Sequence, residues 1–122
     1  IFVGHCAGNN SESGSNNIFF GKDAGVNNVS GSNNIVIGNS QNTPIVSGNN
    51  QLIIGAGSTS WLVGNSSYNV GIGTTNPTAK LHVIGDVIVG VNTSNGVILT
   101  SPNGTQYRLK VDNSGNLSTV AV

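Results

Sequence analysis

An apolar triplet followed by glycine recurs every 17 residues in the first half of the chain, and this spacing constrains the fold more than any other feature. Residues 1–4 read IFVG, residues 18–21 IFFG, residues 35–38 IVIG and residues 52–55 LIIG. A fixed period of this kind indicates a repeat architecture. Short runs of β-branched and aromatic residues bounded by Gly and Asn are typical of strands.

This period predicts an all-β fold in which residues 1–73 form a parallel β-solenoid, or β-roll, of 17-residue repeats. Equivalent strands in such a coil lie about 4.8 Å apart in a parallel ladder. The WLVG stretch at residues 61–64 interrupts the period. We therefore expect residues 56–73 to form an atypical terminal turn that caps the open edge of the coil.

Side-chain alternation within each triplet predicts which residues face the interior. The outer two residues, such as Ile35 and Ile37, are expected inside the coil, and the middle residue on the opposite face. Strands that are apolar on both faces are usually buried on both faces, and an uncovered apolar stripe usually marks an interface. Self-association is therefore expected, with coverage of the stripe by the chain's own loops as the alternative. The predicted interface residues are Phe2, Phe19, Val36 and Ile53.

The asparagines before the strands have a structural interpretation. Asn16, Asn33 and Asn50 occupy the same position of the repeat. Stacked one above the next, their amides can bond along the ladder. Asparagine also tolerates the left-handed backbone that a corner requires.

Residues 74–90 differ in character and are interpreted as a connector. Asn76 followed by Pro77 is typical of a helix start, which predicts one helical turn over residues 77–80. Apolar stretches at residues 81–84 and 87–89 then predict a return to strand.

Residues 91–122 are predicted to form a C-terminal three-stranded antiparallel β-meander. Strands are expected over residues 97–100, 105–111 and 117–122, separated by the turn sequences SPNG and DNSG.

The composition excludes several classes of function. Four Lys and Arg residues balance four Asp and Glu residues, and only 7% of the chain is charged, so no basic stripe is available for nucleic acid. No apolar run approaches the roughly 18 residues that span a bilayer, so membrane insertion is not expected.

No catalytic, metal or cofactor site is expected, and the chain is not predicted to be an enzyme. The four carboxylates are scattered along the chain, whereas a glycosidase needs two that face one groove. Cys6 follows His5, but neighbouring side chains on a strand point to opposite faces, so Cys6 is interpreted as a small residue in a tight turn. An ion bound by His82 on a symmetry axis is a minor alternative. Aromatic residues that could contact a surface ligand such as a glycan are Trp61, Tyr68 and Tyr107.

Three stretches of the chain resemble known fibre proteins. GSNNIFFGKDAG and GSNNIVIGNS, at residues 14–25 and 31–40, resemble head repeats of trimeric autotransporter adhesins and of phage tail-fibre shafts. NVGIGTTNPTAKLHVIGDV, at residues 69–87, is similar to a segment of phage tail fibres and other long trimeric fibres. SPNGTQYRLKVDNSGNLSTV, at residues 101–120, is similar to C-terminal modules of phage structural proteins.

The resemblance implies a homotrimer of parallel left-handed β-rolls that forms a rigid rod in a virion appendage such as a tail fibre. It implies a structural segment without cofactors that positions a host-receptor-binding element. Expected partners are two further copies of the chain, other fibre or virion proteins, and a host cell-surface glycan or protein. The alternatives are the head of a bacterial trimeric surface adhesin and an ice- or carbohydrate-binding β-solenoid.

Overall fold

The apolar triplets form short strands that pair in parallel at a constant offset. A computed structural model describes residues 1–89 and 96–122 of the chain. Strands β1 (Phe2–Val3), β2 (Ile18–Phe20), β3 (Ile35–Ile37) and β4 (Leu52–Ala56) are neighbours in one sheet. Along β1 to β4, each residue lies opposite the residue 17 positions later, as Phe19 lies opposite Val36.

Three further strands extend this sheet to seven. They are β5 (Thr59–Gly64), β6 (Val70–Ile72) and β7 (Leu81–Val83). Strand β5 is antiparallel to both of its neighbours, whereas β6 and β7 pair in parallel, so the sheet is mixed. The extra strand expected around Trp61 is therefore present, but the sheet does not end at residue 73. It continues into the predicted connector.

The interior of this unit is the reverse of the prediction. Phe19, Val36 and Ile53 are each 0% exposed and form the core with Ala24. The expectation that these middle residues face outward is wrong, and in the folded single chain they offer no surface to a partner. Phe2, in the first strand, is half-exposed, but its ring stacks on Phe19 with centroids 4.9 Å apart.

The small residues that follow each strand explain the reversal. The chain folds back over the middle side chain, so that a Cβ atom at Gly25 would overlap the ring of Phe19. Gly8 lies in the same way against the rings of Phe2 and Phe19. The loops after the strands therefore cover the inner side chains. The alternative of coverage by the chain's own loops is the one that the structure supports.

A second unit, Asp86–Val122, contains a separate antiparallel sheet, distinct from the unit Ile1–Gly85. Its strands β8 (Val97–Thr100), β9 (Gln106–Val111) and β10 (Leu117–Ala121) lie in the order β10-β9-β8. The predicted all-β class and the three-stranded meander are confirmed.

The connector is only partly as predicted. Residues 77–80 form no helical turn, because Lys80 accepts a hydrogen bond from the backbone of Val70 and leads directly into β7. Residues 87–89 lie in no strand, and the boundary expected at residues 90 and 91 lies outside the described residues. The described ranges contain no helix that could cross a membrane.

Candidate functional site

A row of buried amides runs along the inside of the first unit. Asn17, Asn34 and Gln51 come just before β2, β3 and β4, and all three are buried. The Asn34 backbone N–H donates to Asn17 Oδ1 at 2.9 Å, and the Gln51 N–H donates to Asn34 Oδ1 at the same distance. Each amide thus satisfies the backbone of the next level, as buried polar groups require.

These three residues, which we call the inner amide row, also bond to the backbone of the loops that precede the strands. Asn17 Nδ2 donates to the Gly31 carbonyl at 2.7 Å, and Asn34 Nδ2 donates to the Gly48 carbonyl at 2.8 Å. The sequence pattern predicted a structural role for the adjacent residues Asn16, Asn33 and Asn50, but not for this row. The signal was nevertheless present, since an amide residue recurs at positions 17, 34 and 51.

The neighbouring asparagines have the predicted role at the corner. Asn16, Asn33 and Asn50 have φ values of 59°, 59° and 57°, in the left-handed region. Asn16 Nδ2 donates to Asn33 Oδ1 at 3.3 Å. The expectation of a left-handed corner and the stacking of this first pair are confirmed.

The sheet carries an exposed apolar surface on its other side, which we call the outer face. It is formed by the residues on either side of each inner residue, and those that belong to the four apolar triplets were expected in the core. Phe20 is 55% exposed, and Ile37 is 38% exposed. None of the side chains that make up the outer face is charged. The outer face consists of Val3, Ile18, Phe20, Ile35, Ile37, Leu52, Ile54, Leu62, Val70, Ile72, Leu81 and Val83.

The aromatic ligand-contact candidates are exposed but do not form one described site. Trp61 is 62% exposed and lies where the pairing of β4 with β5 shifts register, a feature that re-aims side chains. Tyr68 is 73% exposed, in a turn closed by its N–H and the Asn65 carbonyl. Tyr107 belongs to β9 in the second unit.

An open groove in the first unit has a volume of about 450 Å³. It is lined by hydroxyl side chains and glycine, and no titratable group lines it. Its lining residues are Ser58, Thr59, Ser60, Gly73, Thr74 and Thr75.

The titratable residues considered as ion ligands or catalytic groups lie on different elements of the chain. His82 lies opposite Gly71, in the row of the sheet that continues from Ile53 and Val63. It therefore does not lie on the outer face, where an ion shared between copies would be expected. Glu12, Asp86 and Asp112 are exposed.

Cys6 and His5 are closer together than the sequence analysis expected. Cys6 has a φ of 56°, so the strand has already ended and its side chain no longer alternates with that of His5. His5 Nε2 lies 3.9 Å from Cys6 Sγ. The Asp23 carboxylate lies in the same group, with the three ligand atoms all within 4.8 Å of one another.

No protein-family model matches this chain, and no curated protein or solved structure matches it.

Proposed function

We propose that this chain is a structural, non-enzymatic segment of a trimeric fibre, such as a phage tail fibre or a similar virion appendage. In this proposal the first unit is a β-solenoid, and three copies pack through their outer faces into a rigid shaft that positions a receptor-binding element. The observation that carries the proposal is the outer face itself.

The solenoid architecture is supported by the constant pairing offset. Ile18, Ile35 and Leu52 lie in one column of the sheet, each 17 residues from the last. The inner amide row follows the same offset. Stiffness follows from this arrangement, because each level is bonded to the next both at its strand and at its corner.

A second and third copy of the same chain are the occupants that best fit the outer face. An exposed apolar surface of this extent usually marks an interface. Because each strand from β2 to β4 presents an apolar pair at the same position, identical faces at the same level can meet around a common axis. No charge on the face opposes such packing, and the chain has no net charge to repel other copies.

The alternatives differ in where the fibre belongs and what it binds. A bacterial surface adhesin head would use the same trimer. A carbohydrate-binding role is favoured by the exposure of Trp61 and Tyr68, since exposed aromatic rings can stack on sugars. Ice binding is disfavoured, because the outer face of the sheet is apolar rather than lined with threonine.

Sedimentation equilibrium tests the proposal, with an unboiled SDS gel alongside. We expect the mass of three chains for the natural protein, and the mass of one folded chain for Ile37→Lys, which puts a charge on the outer face. Ile45→Lys is the matched control, because Ile45 is exposed but lies outside the sheet. This control should remain a trimer. A natural protein that sediments as a folded monomer would overturn the proposal.

A further inference from the structure

The first corner of the chain brings together three side chains that bind metals. Cys6 and Asp23 are 17 residues apart and occupy the same position of successive levels. Their φ values, 56° and 55°, are nearly identical, so both side chains leave the backbone in the same way. His5 precedes Cys6, and its ring nitrogen reaches the same point.

The backbone at this corner is fixed by the ladder. The Asp23 N–H donates to the His5 carbonyl at 2.8 Å, and the Gly21 N–H donates to the Val3 carbonyl at 2.8 Å. The three side chains are therefore held on two adjacent levels that cannot slide past each other. Only side-chain torsions have to be ordered when an ion binds, which lowers the entropic cost of binding.

We propose that His5, Cys6 and Asp23 form a binding site for Zn²⁺. One imidazole nitrogen, one thiolate and one carboxylate oxygen are all zinc ligands. In a tetrahedral zinc site, a sulfur and a nitrogen ligand lie about 3.6 Å apart, given Zn–S and Zn–N bonds of about 2.3 and 2.0–2.1 Å. The His5 Nε2 to Cys6 Sγ distance of 3.9 Å needs only a small adjustment to reach this.

The fourth position of the site is open to solvent. His5 and Cys6 are exposed, and Asp23 is half-buried, so an ion can enter directly and a water molecule can complete the coordination. As zinc binds, the Cys6 thiol releases its proton to solvent and the sulfur forms the bond to the metal.

Lys22 is the competitor at this site. Its ammonium pairs with the Asp23 carboxylate. Zinc has to displace this ammonium, and Lys22 is largely exposed and free to move into water. Removing the ammonium, as in Lys22→Ala, should therefore strengthen zinc binding. A merely structural role for His5, Cys6 and Asp23 would not produce this effect.

The next corner offers a control built into the chain. Ser40 has the same φ, 55°, at the position equivalent to Cys6 and Asp23, and its hydroxyl bonds to Asn39. Neither residue supplies a thiolate, an imidazole or a carboxylate. The proposed site is thus restricted to the first corner.

Titration with Co²⁺ as a spectroscopic probe, under a reductant that does not bind metals, tests the proposal. We expect a thiolate-to-cobalt charge-transfer band that Zn²⁺ abolishes on displacing the probe. Cys6→Ser should remove this band, and His5→Ala and Asp23→Asn should each weaken Zn²⁺ binding at least about tenfold. Lys22→Ala should bind more tightly, and Ser40→Ala should match the natural protein.

Two results would overturn the zinc site. One is the absence of a thiolate band at saturating Co²⁺. The other is a band that survives unchanged in both Asp23→Asn and His5→Ala, since the thiol would then bind metal without the corner. Neither outcome depends on the oligomeric state, so the test is independent of the proposed fibre function.

Discussion

The side-chain amide of Asn34 donates to the side-chain carbonyl oxygen of Asn28 at 3.0 Å, and neither residue is exposed to solvent. Asn28 in turn donates to the Gly31 carbonyl at 3.0 Å. A buried polar network of this kind stabilises only when every member is satisfied, since an unpaired buried amide is costly. The interior of the first unit therefore contains both an apolar core and a network of buried amides.

Asn34→Ala should destabilise the first unit strongly. The substitution leaves the Asn28 Oδ1, the Gly48 carbonyl and the Gln51 N–H without their partner. Each buried group left unsatisfied costs about 1–3 kcal/mol, so we expect a loss of at least about 3 kcal/mol in the free energy of unfolding. Denaturant unfolding followed by circular dichroism measures it.

Asn10→Ala is the matched control for this change. Asn10 is exposed, and its side chain makes no hydrogen bond among the described residues. Its substitution should change stability by less than about 0.5 kcal/mol. Equal effects of the two substitutions would contradict the role of the inner amide row.

Ile53→Ala and Ile37→Ala should separate the core from the outer face. Ile53 is fully buried, so its truncation should cost about 2–5 kcal/mol. Ile37 is 38% exposed in the single chain, and its truncation should cost less, about 1–2 kcal/mol, at a concentration where only monomer sediments. At higher concentration, Ile37→Ala should instead weaken assembly. If Ile37→Ala destabilised the monomer more than Ile53→Ala, the sequence-based assignment, with Ile37 inside and Ile53 outside, would be correct.

Gly38→Ala should be far more harmful than Gly85→Ala, although the two residues have almost the same φ, 132° and 133°. A Cβ atom at Gly38 would overlap the Gly55 carbonyl oxygen of the next level, whereas at Gly85 nothing described lies within 4 Å of it. The Gly85 variant therefore measures mainly backbone strain, about 1–3 kcal/mol. Thermal unfolding should show a clearly lower midpoint for Gly38→Ala than for Gly85→Ala. Similar midpoints would mean that the backbone at Gly38 and Gly55 can move apart without a measurable loss of stability.

Asp112 should titrate below an ordinary aspartate. Hydrogen bonds from the Asn116 side chain, and from the Asn116 and Ser114 backbone N–H groups, lower the pKa of its carboxyl. Since the folded pKa lies below the unfolded one, this stabilisation is present above the ordinary value of about 3.9 and is lost as the pH falls through the folded pKa.

Asn116→Ala should move the pKa of Asp112 back toward its usual range. Carboxyl-carbon NMR titration measures the change directly. Asn113→Ala is the control, because Asn113 lies in the same turn but does not bond to the Asp112 carboxylate. An unchanged titration in Asn116→Ala would mean that the backbone N–H groups alone hold the carboxylate.

The parallel order of β1 to β4 and the C-terminal meander follow from the sequence, but the direction of the side chains in β1 to β4 does not. In a triplet such as Ile18-Phe19-Phe20, every residue is apolar, so alternation gives no preference for either face. The small residues beyond the strand decide it, since Ala24 and Gly25 leave room for the ring of Phe19. The Ala-Gly pair recurs at residues 7–8 and 24–25, which is the signal that could have identified the inner side.

The grouping of the three proposed zinc ligands was not predicted from the sequence either. His5 and Cys6 are adjacent, but Asp23 joins them only through the offset between levels, and the left-handed φ of Cys6 cancels the strand alternation. The 17-residue period, which was applied to the apolar triplets and to the asparagines before them, also aligns Cys6 with Asp23.

The constant offset also determines how this chain can change in length. Excision of residues 18–34 would join Asn17 to Ile35, and Asn17 could then make toward Gln51 and Gly48 the bonds that Asn34 now makes. Loss of a single residue would instead move the amide away from its partners and turn the core residue outward. We therefore expect insertions and deletions between β1 and β4 to be tolerated only in whole units of 17 residues, each of which changes the length of the sheet by one strand spacing of about 4.8 Å. Between β1 and β4, the sheet is therefore expected to gain or lose length only by whole strand spacings.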